Sequence, residues 1–264
     1  MPDLGLEART YWVPKRGNSE EEYEDAFFPE FPRERKGRVA RFAVADGASE
    51  GMLSGPWAKI LVRSFFRAYQ RPSRSSARFL LARACDSWET WKAAYLRRRA
   101  EVGRPVQWWE EQGLETGPFS TLLGVAFLLP QGGETGRWDA IAVGDSCLFA
   151  VRDDGLAVRF PIRNSSGFGS RPVLISGDPA RNAAHLEKIA HSSGALSRGE
   201  RFYLMTDALA AWFLNEAEDG REPWDALSSI EGDEGFFRLV SDLRQGGEMR
   251  NDDVTLTCIR VVST

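Results

Sequence analysis

The chain has 264 residues, of which 42% are hydrophobic and 27% are charged. Its length is near the upper limit for one hydrophobic core, and its composition excludes a wholly disordered, collagen-like or membrane-embedded chain. The 34 basic and 38 acidic side chains leave a net charge of −4, too weak a field to attract nucleic acid or anionic lipid. We therefore predict a single domain over residues 1–264, with neither nucleic acid nor a membrane as its partner.

The cysteines and histidines limit the chemistry that the chain can perform. Cys85, Cys147 and Cys258 are widely spaced in apolar stretches, which indicates neither a disulfide framework nor a zinc motif and favours a reducing cytoplasm. The amino terminus has no signal-peptide pattern, so we expect a cytoplasmic location. His185 and His191 are the only histidines, which leaves little material for a histidine metal cage or for a nucleophile paired with a histidine base. Any hydrolytic chemistry is therefore expected to use carboxylates.

The first half of the chain is predicted to contain strand pieces followed by two helices. Residues 11–38 mix acidic, aromatic and proline residues and indicate short strands joined by loops. The apolar run 39–45 predicts a core strand that ends abruptly at Asp46. Apolar residues then recur at helical spacing over 56–70 and over 81–99, where three arginines suit the carboxyl end of the second helix.

The second half changes to β-rich segments. Residues 119–129 and 138–152 predict two antiparallel strands around a Gly-rich hairpin at 131–136. The segment 163–198 is rich in Gly, Ser and Asn, and we expect it to form a surface flap with one helical piece at 183–190.

The carboxyl-terminal part returns to strands and helices. Residues 201–205 predict a strand, 209–214 the start of a helix, 236–243 a last helix and 254–262 a closing strand. Both of these strands adjoin aspartates.

Aspartates border strands at four places, namely Asp46, Asp145, Asp207 and Asp252. Because carboxylates gathered without basic partners repel one another, hard divalent cations such as Mg²⁺ or Mn²⁺ usually compensate them. The alternative is that aspartates simply favour turns at strand ends, and for any single position this is the better explanation. The four positions together with their sequence contexts favour a metal site.

Six short segments give those contexts, and they are 23–27, 42–48, 117–123, 142–146, 202–207 and 251–255. In this order they resemble the motifs of the metal-dependent protein serine/threonine phosphatases of type 2C, and the resemblance extends from about residue 23 to residue 262. It implies an α+β fold, a four-layer αββα sandwich with two central antiparallel sheets flanked by helices. The predicted helices between residues 56 and 99 would cover one sheet.

The resemblance also implies a dinuclear Mn²⁺ or Mg²⁺ site at one edge of the sandwich. Asp46 would bridge both ions, the Gly47 carbonyl would complete one site, and Asp207 and Asp252 would hold the other. A water that bridges two cations becomes hydroxide near neutral pH and can attack phosphorus in line.

Three further residues complete the implied site. Glu24 and Asp25 would orient metal-bound waters, and Asp145 would bind a third, weaker ion together with Asp207. No covalent enzyme intermediate is needed, which agrees with the shortage of histidine.

The chain departs from the family pattern at several positions. Ala208 replaces a glycine and Ala211 replaces a second aspartate that often follows Asp207 by four residues, which puts the third ion in doubt. Ala48 stands where some members carry a histidine, so protonation of the leaving group would fall to water. The usual phosphate-binding arginine is absent just before the early acidic motif. Arg16, further upstream, is our candidate for that role, and a simple surface position explains it equally well.

These observations favour a cytoplasmic phosphatase that hydrolyses phosphoserine or phosphothreonine on a protein substrate, with a partner kinase acting on the same substrate. The alternative is a catalytically impaired relative that binds phosphoproteins without turnover, which the alanines at positions 208 and 211 motivate. A metal nuclease would use the same cation chemistry, but the sequence shows no basic groove for nucleic acid.

Overall fold

The computed structural model describes residues 4–29, 39–49, 51–68, 74–130, 135–169, 171–182 and 188–263. Its strands are β1 (Leu4–Val13), β2 (Ala26–Phe28), β3 (Val39–Ala45), β4 (Phe119–Ser120), β5 (Leu122–Leu128), β6 (Arg137–Val143), β7 (Cys147–Arg152), β8 (Gly155–Phe160), β9 (Ile175–Ser176), β10 (Ala190–Ala195), β11 (Arg201–Met205) and β12 (Val254–Ser263). Its α-helices are α1 (Ser54–Ala68), α2 (Arg74–Glu101), α3 (Trp108–Thr116), α4 (Pro179–Asn182), α5 (Asp207–Glu218), α6 (Pro223–Ser228) and α7 (Gly232–Gln245).

The strands form two five-stranded sheets. Sheet 1 has the order β1-β12-β11-β7-β8 and sheet 2 the order β10-β6-β5-β3-β2, and all pairings in both sheets are antiparallel. A separate two-stranded ladder joins β4 to β9. These pairings confirm the predicted α+β architecture with two antiparallel sheets.

Three apolar clusters fill the spaces between four layers. The middle cluster lies between the sheets and includes Phe127 and Phe202, whose rings meet edge to face at 5.0 Å. A second cluster packs α5 and α7 on sheet 1, with Phe213 stacked on Phe149 at 4.5 Å. A third packs α1 and α2 on sheet 2 around the fully buried Trp57. The predicted helices after residue 56 therefore do cover one sheet. Successive residues of each strand point to opposite faces of its sheet, so each sheet contributes side chains to two clusters.

The prediction of one strand over 138–152 was wrong. This run is two strands, because β6 belongs to sheet 2 and β7 to sheet 1. The turn at 144–146 is consequently a corner between the two sheets. Gly144 adopts a positive φ of 97° at this corner, a backbone conformation that glycine tolerates best.

The segment 163–198 also differs from its prediction. It contains a short 3₁₀ turn, β9 and α4, and it ends in β10, which pairs with β6 at the edge of sheet 2. The helical piece expected at 183–190 does not extend to residue 190, because that residue already belongs to β10. Residues 183–187, including His185, lie outside the described part of the chain.

None of the helices in the described ranges is both long enough and apolar enough to cross a bilayer.

Candidate active site

Strand register brings the predicted aspartates to one edge of the sandwich. In sheet 1 the last residue of β11, Met205, pairs with Leu256 near the start of β12 and with Cys147 at the start of β7. In sheet 2 the end of β6 pairs with the start of β5, which in turn pairs with the end of β3. The corner between β6 and β7 joins the two sheets at this edge, so Asp46, Asp145 and Asp207 all emerge there.

Three of the four aspartates meet closely. Asp46, Asp145 and Asp207 each offer a carboxylate oxygen, and these oxygens lie within 4.8 Å of one another. Asp145 and Asp207 are buried, and Asp145 Oδ1 has no hydrogen-bond partner among the described residues. A buried oxygen without a donor is costly unless something else satisfies it. This set of hard oxygen donors fits a divalent cation such as Mg²⁺ or Mn²⁺.

Thr121 fixes the first aspartate in place. Its hydroxyl accepts a hydrogen bond from the Asp46 amide at 2.9 Å, and its own amide donates to the Asp46 carbonyl at 2.9 Å. The same hydroxyl lies 2.8 Å from the hydroxyl of Ser146 at the sheet corner. One threonine therefore ties the end of β3 to the turn that carries Asp145, a role that the sequence analysis did not assign.

Gly47 permits a close approach between two loops. A Cβ added to this residue would lie 2.6 Å from the Glu24 carbonyl oxygen and 2.9 Å from the backbone carbon of Ser54. Both neighbours are backbone atoms, so any larger side chain would push the segments apart. The glycine therefore keeps the predicted water-orienting segment beside the first aspartate.

Asp25 lies beside Asp46 and is almost completely buried. Its carboxylate accepts a hydrogen bond from the Thr255 hydroxyl at 2.7 Å, and the Tyr23 hydroxyl bonds to the same threonine. Glu24, by contrast, is only partly buried and lies closer to solvent. The two residues of the early acidic motif thus differ in position, with one packed against the core and one at the rim.

Burial and like charge shift the ionisation of this cluster. Desolvation, followed by the charge of Asp145, raises the pKa of Asp46 to about 7. Desolvation is also the main cause that raises the pKa of Asp145 and Glu24, and it raises the pKa of Asp25 well above its usual value. Each shift disfavours the charged form, which is the behaviour of carboxylates that lack sufficient positive charge nearby.

Asp253, just before β12, attaches the amino-terminal segment to the start of that strand. Asp253 is buried and accepts hydrogen bonds from the backbone amides of Lys15 and Glu24, each at 2.7 Å. Asp252, its neighbour, is one-third exposed and points to the mouth of the site.

A family model described as protein phosphatase 2C matches residues 16–245. The chain belongs to this family. No curated protein sequence matches the chain significantly.

Solved structures of other bacterial proteins share this fold at low sequence identity. The chain resembles PppA of Pseudomonas aeruginosa, a regulatory component of its type VI secretion system, with 18% identity, a TM-score of 0.59 and 97% of each chain covered. It also resembles the Mycobacterium tuberculosis phosphatase PstP, with 16% identity, a TM-score of 0.57, and 99% of this chain and 100% of that one covered. The catalytic domain of PstP with two manganese ions gives 16% identity and a TM-score of 0.58, covering 98% of this chain and 100% of that one.

Arg250 is a basic residue at this phosphatase 2C site that the sequence analysis did not single out. Its guanidinium contacts the Asp207 carboxylate, and its Nε lies 3.3 Å from Asp252 Oδ2. It therefore links two of the predicted metal ligands. The only sequence signal was its place just before the closing motif at 251–255.

Arg16, the predicted phosphate-binding residue, lies at the same edge. Its backbone amide donates to Asn251 Oδ1 at 2.7 Å, and Asn251 Nδ2 donates back to its carbonyl at 3.1 Å. The Arg16 side chain is exposed, and its role in binding phosphate stays a prediction.

The two alanines that depart from the phosphatase 2C pattern lie on α5. Ala208 directly follows Asp207 and is buried. Ala211 is partly exposed and lies one helical turn after Asp207, on the same face of the helix. Neither alanine side chain offers an oxygen to a metal, so of these three α5 residues only Asp207 can be a ligand.

Proposed function

We propose that this phosphatase 2C protein is a metal-dependent hydrolase of phosphoserine and phosphothreonine on protein substrates. The observation that carries the proposal is the meeting of three aspartates within 4.8 Å around a buried oxygen for which the described part of the chain supplies no hydrogen-bond donor. Such a cluster is unfavourable unless a cation joins it. Membership of a phosphatase family makes phosphate ester hydrolysis the chemistry that best explains it.

The metal ligands in this proposal are Asp46, Asp207, Asp252 and the Gly47 carbonyl, with Asp145 available to a third ion. Two bound Mn²⁺ or Mg²⁺ ions would supply Lewis-acid stabilisation of the phosphoryl oxygens and lower the pKa of a water. The manganese ions in the PstP catalytic domain support this choice of metal.

The chain's own residues position the metal ligands and the water at the site. Thr121 holds Asp46 and the Asp145 turn at a fixed separation through its three hydrogen bonds. Glu24, at the rim, would accept hydrogen bonds from water entering the site, while the Thr255 hydroxyl holds Asp25 beside Asp46. Ala48 has no proton to give, so the leaving alkoxide would take its proton from water.

The substrate in this proposal is a phosphorylated protein in the cytoplasm. The predicted site lies at an open edge of the sandwich, and Asp252 and Arg250 at its mouth are one-third and one-half exposed, which suits a phosphorylated side chain presented on a larger partner. The three cysteines are all free, which suits a reducing compartment. A partner kinase that phosphorylates the same substrate remains part of the proposal.

The test is hydrolysis of phosphoserine and phosphothreonine peptides with Mn²⁺ or Mg²⁺, with and without chelator. We expect turnover that needs metal and returns when metal is restored. Asp46→Asn should reduce the rate by about a hundredfold or more, because the proposed bridging ligand is lost. Asp154→Asn, at an 83% exposed side chain, is the matched control and should keep full activity.

Two results would contradict the proposal. Metal-independent turnover would contradict the mechanism. Retention of the phosphopeptide by the metal-loaded protein without any turnover would instead favour the binding module.

A further inference from the structure

Arg250 is a cation placed among residues proposed to hold metal. Its side chain is 50% exposed, whereas that of Asp207, which it contacts, is 7% exposed. Its second carboxylate, Asp252, comes from the turn before β12, while Asp207 begins α5. One guanidinium therefore joins two carboxylates that lie 45 positions apart in the sequence.

In the metal-free protein, the positive guanidinium of Arg250 partly neutralises the cluster of negative carboxylates, which is the role that a bound metal ion would otherwise have. Oxygens of Asp46, Asp145 and Asp207 lie within 4.8 Å of one another, and the charge of Asp252 acts on Asp46 and Asp145. Asp145 and Asp207 are buried. The planar, permanently charged fork of an arginine can contact two carboxylates at once. Arg250 thus stabilises the metal-free arrangement of Asp207 and Asp252.

The same contact conflicts with metal binding. The guanidinium lies against Asp207 Oδ2, and a cation coordinated by that oxygen would be repelled by a positive group so close. Asn251, the next residue, is hydrogen-bonded to the backbone of Arg16, and Asp253 is bonded to Lys15 and Glu24. These bonds anchor the backbone that follows Arg250, so its half-exposed side chain can rotate into solvent while the turn stays in place.

We propose that Arg250 is the resident counter-ion of the metal site, and that it must leave Asp207 when a divalent cation binds. Metal loading is then an exchange of one cation for another. Arg250 holds the ligands together in the metal-free protein and raises the metal concentration at which the site fills. This inference rests on the proposed function, because it needs Asp207 and Asp252 to be metal ligands.

The experiment is calorimetric titration of Mn²⁺ into the native chain and Arg250→Gln at low ionic strength. We expect the variant to bind about fivefold more tightly, equal to roughly 1 kcal/mol, because no cation has to be displaced. The matched control is Arg221→Gln, which changes the net charge equally and removes an exposed arginine paired with Glu216 and Asp219. Arg221 lies beyond the carboxyl end of α5, whereas Asp207 begins that helix. The Arg221→Gln variant should therefore bind Mn²⁺ as the native chain does.

A second measurement separates a counter-ion from a residue that merely supports the fold. Arg250→Gln should melt at a lower temperature than the native chain in chelator, because the carboxylates lose their positive partner, although its metal affinity rises. A supporting residue would lower both quantities. Arg250→Met keeps the aliphatic stem and repeats the test if the Gln variant does not fold.

The outcomes are distinct. Unchanged or weaker Mn²⁺ binding by folded Arg250→Gln, with normal binding by the native chain, would overturn the counter-ion role and leave the proposed function intact. No Mn²⁺ binding by the native chain at millimolar concentration would overturn both.

Discussion

Asp145 shows how a single residue links stability to metal binding in this protein. Its carboxylate is buried, its pKa is raised chiefly by desolvation, and its Oδ1 has no donor among the described residues. The cluster therefore stores unfavourable electrostatic energy in the metal-free state.

We predict that Asp145→Asn leaves the metal-free melting temperature unchanged or raises it. The amide removes a charge that burial disfavours and can donate to the oxygens of Asp46 or Asp207, which lie within 4.8 Å of the native carboxylate. Added Mn²⁺ should stabilise the variant less than the native chain, because an anionic oxygen ligand is lost. Thermal melting with chelator and with Mn²⁺ measures both effects.

Asp154→Asn is the control for this prediction, since Asp154 is exposed at the β7–β8 turn and has a positive φ that asparagine tolerates. A large fall in the melting temperature of Asp145→Asn in chelator would show that Asp145 is a structural turn residue.

The same cluster shows which site residues a sequence can reveal. Asp46 and Asp207 could be predicted to meet because each follows a recognisable strand, and Asp145 because the segment 142–146 resembles a family motif. The bonds of Thr121 to both sides of the site could not, because they depend on how the two sheets approach. Arg250 lies in a turn without hydrophobic periodicity, and only the folded structure shows that its side chain points to Asp207.

At the scale of elements, Asp253 connects the start of β12 to the segment that leads into the acidic motif. Its two oxygens accept the amides of Lys15 and Glu24 at 2.7 Å. These are charge-assisted bonds to backbone groups at a partly buried place, and such bonds are among the stronger ones in proteins.

We predict that Asp253→Ala lowers the free energy of unfolding by about 2–4 kcal/mol, because two amides lose their acceptor. It should also displace Glu24 and reduce turnover. The control is Asn251→Ala, which removes two bonds to the backbone of the exposed Arg16 and should cost about 1 kcal/mol or less. Chemical denaturation measures both variants, and equal losses in the two would contradict the special position of Asp253.

Two features of the fold, the turn between β6 and β7 and the strand β10, could not be predicted from the sequence, and the reasons are physical. Residues 138–152 are mostly buried on both faces because β6 and β7 are each covered on both sides, so hydrophobic periodicity could not locate the turn between them. Strand β10 has the sequence Ala-His-Ser-Ser-Gly-Ala, which has little β propensity. Its backbone pairing with β6 makes it a strand, and that pairing depends on distant residues.

At the scale of the whole molecule, the αββα order could be predicted because six motifs occur in the order of a known family. The structure adds that one edge, where the corner between the sheets lies, collects every predicted metal ligand. Distant parts of the chain therefore contribute to a single site, from Asp46 at the end of β3 to Asp252 before β12.

Anomalous scattering from crystals grown with Mn²⁺ tests most directly whether this edge is a metal-dependent phosphatase centre. We predict two anomalous peaks, both within coordination distance of Asp46, with Asp207 and Asp252 at one of them and the Gly47 carbonyl at the other. The Arg250 guanidinium should have left Asp207. Crystals without manganese at this edge, with Arg250 still against Asp207, would contradict the assignment of the site and the mechanism built on it.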